Sequence, residues 1–246
     1  MVYEHLNRLI ICGYASGSNY TQSIPYVLDE VENVFVPVNP AFPPGLIRYC
    51  INHGDRICVG RYSSLNGSRV LIDENFSLHE ITGNISITQS PILSIGGELL
   101  QTADGGKVFR YDESLDEMVE AFTLPVPGDV TYPRFVYVNG KPFYDKNGNA
   151  CMTIYGPAVN NIINHWLFQI SQDNPLSPKE LISNLSQPFS GGGIAYDSIN
   201  NIIYTGGRSD SGGGSVRIDL NTLDVKHYVR GKGAWVPLTK ELINSL

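Results

Sequence analysis

Five imperfect copies of one pattern run through the chain, and no other feature restricts its fold so tightly. Each copy is an apolar run ending near glycine, a Ser/Asn/Gly turn, an apolar run ending in aspartate, and one more strand-forming run. The clearest copy is 191–229, GGGIAYDSINNIIYTGGRSDSGGGSVRIDLNTLDVKHYV; the others fall at 8–38, 56–81, 90–124 and 134–173. The aspartate position is held by Asp29, Asp73, Asp112 and Asp219, with Ser171 standing in for it in the fourth copy, at spacings of 44, 39, 59 and 48 residues. Gly13, Gly60, Gly156 and Gly206 close the preceding strand 16, 13, 15 and 13 residues earlier. The third copy departs from this, with Ala103 at the glycine position unless the register shifts to Gly97.

Four strands per period of about 40–50 residues point to a propeller. A lone four-stranded blade cannot bury both its faces; stacking blades radially covers each face and leaves only short edges. The repeated aspartates have a mechanical reading in such a fold, because a carboxylate after a strand can accept backbone N–H groups of the turn that follows. They are expected to be structural rather than catalytic, as are the strand-closing glycines.

The expected architecture is one all-β domain over 1–246, a five-bladed propeller of four-stranded antiparallel blades. The blades fall at 7–38, 45–82, 90–124, 132–185 and 191–229. Copies two to five begin with plausible first strands, at 45–51, 90–95, 133–138 and 192–196, whereas the first copy opens almost directly in its second strand. Segment 233–238, GAWVPL, is left over and is expected to supply that missing strand, so that the C-terminal segment closes the ring on the N-terminal blade. The insertion 139–149 and the long loop 172–190 are expected to provide extra contact surfaces.

The fifth copy resembles a kelch repeat. IIYTGGRSDSGGGSVRIDLNTLDVKHY carries Gly206 and Gly207 after the second strand and Asp219 after the third, but no Trp in the fourth, where Val225 or Tyr228 stands. The resemblance covers one copy well and the rest of the chain weakly. It implies a propeller and says little of function, since one fold serves many.

Charge and composition exclude several functions. The formal net charge is −7 with no basic run, which argues against capture of nucleic acid or an anionic membrane surface. The apolar runs are too short to span a bilayer, and the start MVYEHLNRLIICG does not read as a classical secretion signal, so a virion or the cytoplasm is the expected location. Cys12, Cys50, Cys58 and Cys151 form no C-x-x-C pair and sit in or beside apolar runs; they read as small buried hydrophobes in a reducing compartment. With five dispersed histidines no metal site is expected, nor any cofactor. Asp145-Lys-Asn147-Gly148-Asn149 faintly suggests a calcium loop but reads better as an Asn-Gly turn, and TADGGKVF, 102–109, resembles the Asp-box hairpin of sialidase-type propellers.

The sequence shows no nucleophile elbow, zinc-protease helix, P-loop or dinucleotide fingerprint, and no pair of carboxylates near the expected inner strands. What remains for the channel face is aromatic and hydrogen-bonding: Phe42, Gln89, Tyr132, Arg134, Phe189 and Trp235, with Arg48 nearby. Exposed aromatics with arginine suit protein interfaces and sugar sites alike. The leading expectation is a non-enzymatic structural or protein-interaction module, a component of a viral (phage) particle at the tail or head-tail region. A glycan-binding lectin is the alternative, disfavoured because the copies do not repeat their variable residues; an enzyme with a single channel-face site is the third reading.

Overall fold

Strand ends in this protein are set by local turn chemistry. The computed structural model describes residues 2–5, 8–12, 24–43, 46–62, 68–81, 92–124, 134–138, 141–159, 162–185, 194–205, 215–229 and 234–237. The strands are β1 (Val2–His5), β2 (Arg8–Cys12), β3 (Pro25–Asp29), β4 (Val34–Pro37), β5 (Leu46–His53), β6 (Arg56–Tyr62), β7 (Ser68–Ile72) and β8 (Leu78–Ile81). Then come β9 (Ile92–Ile95), β10 (Glu98–Thr102), β11 (Lys107–Asp112), β12 (Glu117–Thr123), β13 (Arg134–Phe135), β14 (Tyr137–Val138), β15 (Lys141–Pro142) and β16 (Ala150–Val159). The last are β17 (Ile162–Ile170), β18 (Lys179–Leu185), β19 (Ile194–Asp197), β20 (Ile202–Thr205), β21 (Val216–Asp219), β22 (Val225–Val229) and β23 (Ala234–Pro237).

Among the described residues they form antiparallel sheets β1-β2-β3-β4, β5-β6-β7-β8, β9-β10-β11-β12, β13-β16-β17-β18 and β19-β20-β21-β22-β23, with β14-β15 as a separate hairpin. The chain divides into two compact units, 1–103 with 107–122, and 104–106 with 123–246.

The marker aspartates stand where the third strand of a sheet ends. Asp29 Oδ1 accepts the N–H of Val31 and Glu32 at 3.0 and 3.1 Å. Asp73 Oδ1 accepts those of Asn75 and Ser77 at 2.9 and 2.8 Å. Asp112 Oδ1 accepts Ser114 N–H at 3.0 Å, and Asp219 Oδ1 accepts Asn221 and Thr222 at 2.9 and 3.3 Å. In the fourth sheet Ser171 Oγ takes the part, accepting Asp173 N–H at 3.2 Å. Late in four of these turns a residue lies at positive φ: Asn33 (52°), Phe76 (60°), Asp116 (54°) and Leu223 (61°). Asn and Asp tolerate that backbone; Phe and Leu are strained in it by roughly 1 kcal/mol. Phe76 is held there because it packs on a core cluster and its carbonyl accepts Asn39 Nδ2 at 2.9 Å.

In the first unit the second sheet is covered on both faces. Ile57, Val59, Val70 and Ile72 pack against Val27 and Val38 of the first sheet and its exit segment, with Phe42 from the linker. The intervening Cys58 and Leu71 turn the other way, against Ile92, Leu99, Tyr111 and Met118 of the third sheet. Two-sided burial is why ICV, 57–59, and VLI, 70–72, read as unbroken apolar runs rather than alternating ones. In the second unit, Cys151 and Leu167 of the fourth sheet pack on Ile203, Val216 and Ile218 of the fifth. Cys50, Cys58 and Cys151 are buried and form no disulfide among the described residues.

Three expectations are corrected. Segment 233–238 does not complete the N-terminal sheet: β23 pairs with β22, Val229 opposite Ala234, as a fifth strand of the last sheet. The first sheet has its own first strand, with β1 and β2 joined so that His5 faces Arg8. A hairpin over four residues, 230–233, closes a far shorter loop than a pairing across the whole chain, and loop-closure entropy favours the short one. In the 139–149 insertion Phe143 is buried in the core beside Val136, its ring 4.7 Å edge-on from Tyr196, and Asp145 is buried, while Tyr144, Lys146 and Asn147 are exposed. Segment 172–190 is not one long loop, since 179–185 is β18. In the third copy Gly97 lies in the β9–β10 turn at φ 81°, so it is Ala103, just past β10, that stands at the end of the second strand.

Candidate functional site

The described residue least explained by folding alone is Arg69. It is the second residue of β7, fully buried at 0% exposure. By strand alternation it shares a face with Leu71, which packs on the third sheet, while Gln101 of β10 shares a face with Leu99, which packs back on the second. The two polar side chains therefore extend one apolar layer, and they meet: Arg69 Nε donates to Gln101 Oε1. Gly60 is the cross-strand neighbour of Arg69 on β6, and a residue with no side chain leaves room beside the guanidinium stem.

The hydrogen-bonding of this pair is incomplete. Arg69 Nη1 and Nη2 and Gln101 Nε2 are buried and have no partner among the described residues. Burial lowers the Arg69 pKa to about 10, so the side chain still carries its charge at neutral pH. Its neighbour Cys58 is no counter-ion: burial pushes that thiol up to about 12, which keeps it neutral. An unpaired buried guanidinium is costly, and the donor set left open, three nitrogens and no acceptor, suits an anion.

A second polar group, with His53 and Tyr111 buried and its other members nearer solvent, lies in the same unit. His79 Nε2 bonds Asp116 Oδ1, and Tyr111 hydroxyl donates to the same oxygen at 2.9 Å. Arg56 bonds Glu113, and His53 Nδ1 meets Ser94 Oγ at 3.0 Å. Each of these bonds except the Tyr111–Asp116 one links the second sheet to the third, so the group reads as a staple between sheets. In the second unit, Asp145 Oδ1 accepts the N–H of Asn147 and Asn149 at 2.8 and 2.9 Å, while Oδ2 accepts Gln169 Nε2 at 3.1 Å. Its carboxylate is thus occupied by its own turn. A Cβ on Gly148 would stand 2.6 Å from Gln172 Oε1 at φ 78°, which fixes glycine there.

The residues expected on a channel face fare unevenly. Phe42 is not exposed but a core residue, 3% accessible, packed on Val38 and Ile47. Arg48, Arg134 and Trp235 lie on β5, β13 and β23, with side chains outside the described set; Gln89, Tyr132 and Phe189 lie outside the described residues altogether. Gly60 and Gly156 lie within β6 and β16, while Gly13 and Gly206 fall outside the described residues. Arg69 was not among the candidates, because RVLI reads as a buried strand whose leading arginine would be solvated. The one available signal was its place opposite Gly60.

No known family model matches the sequence, and no curated protein matches it. Solved structures do match in fold. Virginiamycin B lyase from Staphylococcus aureus is similar at 12% identity and a TM-score of 0.56 over 92% of this chain and 68% of that one. A streptogramin B lyase follows at 12% identity and 0.55, over 92% and 67%. TolB from Acinetobacter baumannii gives 14% and 0.51, over 92% of this chain and 54% of that one. These are propeller-type folds, and the chain is an all-β protein of antiparallel sheets of that kind. At such identities the likeness is one of fold, and it brings no chemistry with it.

Proposed function

We propose that the chain is a non-enzymatic propeller of five kelch-like blades that works as a structural or protein-interaction module. The observation that carries this is what the third-to-fourth-strand turns do with their side chains. In four of the five main sheets the polar residue is spent on backbone N–H groups while an aliphatic residue of the same turn stands in solvent: Val31 (90% exposed), Leu115 (61%), Leu176 (36%) and Leu223 (37%). Scattered exposed apolar residues need no explanation, but one in the same turn of four of the five main sheets, two to five residues past the marker, is a recurring surface feature. Apolar tips beside satisfied carboxylates suit contact with another protein better than acid–base chemistry.

The assembly this reading favours is a viral particle, because a charged fraction of only 17% and turn-rich all-β repeats suit a component of a larger assembly. The test is the size of the chain's complex in its native source, by gel filtration and mass photometry. The wild type is expected in a large assembly, and a variant with all four tips changed to Ser is expected at the monomer mass with its thermal midpoint little changed. A wild-type chain that runs as a monomer in its source, or a four-Ser variant that stays assembled, overturns the proposal.

A further inference from the structure

We propose that Arg69 and Gln101 form the floor of a binding site for a single carboxylate group, taken up at the end of the second and third sheets where β6 passes into β7. The two residues offer donors alone: Nη1 and Nη2 of the guanidinium and Nε2 of the amide, all buried and unpartnered. Because Gln101 occupies Nε, the guanidinium edge left open is the one formed by the two terminal nitrogens. Two parallel N–H groups in a plane match the two coplanar oxygens of a carboxylate. One guanidinium charge balances one carboxylate, whereas a phosphate dianion would remain half-compensated in an apolar surrounding of Leu71, Leu99 and Ile81.

Two of the segments that enter this end of the sheets carry no acid. Residues 63–67, SSLNG, lead into β7, and 82–91, TGNISITQSP, leave from Ile81, the residue paired with Arg69 on β8; neither segment contains an acid. Asp73 is at the far end of β7, with Oδ1 bonded in its own turn. Asp104 follows β10 and Asp129 lies in 125–133 after β12, and these are the chain's own competitors for the guanidinium. A carboxylate from outside the chain is either a free small acid or the Glu, Asp or C-terminus of another chain, and the chemistry of the grip is the same.

The test is thermal unfolding of the full chain in acetate or in N-acetylglutamate amide, against chloride and phosphate at equal ionic strength. For the wild type the midpoint is expected to rise with the logarithm of carboxylate concentration, by roughly 5 °C or more near saturation, and to stay flat in the other salts. Arg69→Met is expected to show no response and a midpoint without ligand at or above the wild type. Gln101→Glu places a carboxylate on the guanidinium from within the fold; it is expected to be unresponsive and stabilised, and it keeps the test decisive should Arg69→Met misfold. Blocked glutamate binding at least about tenfold tighter than acetate assigns the carboxylate to a partner chain, and equal affinity assigns it to a free acid; both support the site. A wild type that responds equally to chloride, or an Arg69→Met that responds like the wild type, overturns it. So does a double variant Arg69→Met/Asp104→Asn no less stable than either single variant when both singles are destabilised, since Asp104 would then be the counter-ion.

Discussion

The two ends of β7 treat charge in opposite ways. After its last residue, Asp73 sits half-buried in a turn with two backbone N–H groups bonded to one carboxylate oxygen. At its start, Arg69 is sealed between two sheets with one of its three nitrogens bonded and two left open. The first arrangement is local, is satisfied within four residues, and recurs from sheet to sheet. The second depends on a side chain from another sheet, 32 residues away, and occurs once among the described residues. A feature repeated in every copy serves the fold; one that breaks the repeat at a cost in stability asks for another explanation.

That contrast can be broken at Gln101. Gln101→Leu takes away the one bond the guanidinium makes and is expected to destabilise the protein by about 2–4 kcal/mol in urea. Adding Arg69→Met should recover most of that loss, and a double variant as unstable as the single would show that the pair is held for ordinary packing. At the other end of the strand, Asp73→Ala removes an acceptor of two N–H groups and should cost about 1–2 kcal/mol, by analogy with a helix cap. A loss above the Gln101→Leu value would reverse the ranking. Leu223→Gly relieves a left-handed backbone at the place where other copies carry Asn33 and Asp116, and should stabilise by up to about 1 kcal/mol.

The smallest expected effect is a pH dependence. Burial, and then the charge of Arg56, lower the His53 pKa below its ordinary 6.5, against a weaker opposing pull from the carboxylates of Glu113 and Asp55. A folded pKa below the unfolded one means the unfolded chain binds the proton more readily. The contribution of His53 is therefore complete above pH 6.5 and is lost as the pH falls through the folded value. Thermal midpoints between pH 7.5 and 5 should drop for the wild type and drop less for His53→Gln; equal slopes would place the effect elsewhere.

Much of the fold is legible in the chain because its signals are short-range. An aspartate that bonds N–H groups two to four residues ahead announces a turn wherever it stands, and Asp29, Asp73, Asp112 and Asp219 mark where third strands end. The continuous apolar runs at 57–59 and 70–72 announce two covered faces in the same way. The candidate site was not legible. Phe42 looks like an exposed aromatic in a Pro-rich linker, yet it is folded under into the core, and Arg69 looks like the solvated start of a strand, yet it is buried.

By itself the sequence determined the class of secondary structure and the turns that punctuate it, since each of these rests on residues within a few positions of one another. Only the tertiary structure decided which strands pair at the two termini, that the 139–149 insertion tucks Phe143 into a core, and that Arg69 lies under the third sheet against Gln101. Those outcomes turn on competition between partners that compatible strands leave open: a near hairpin against a distant closure, a solvated charge against a buried one. Loop entropy and desolvation settle such contests, and neither is written in any single stretch of residues.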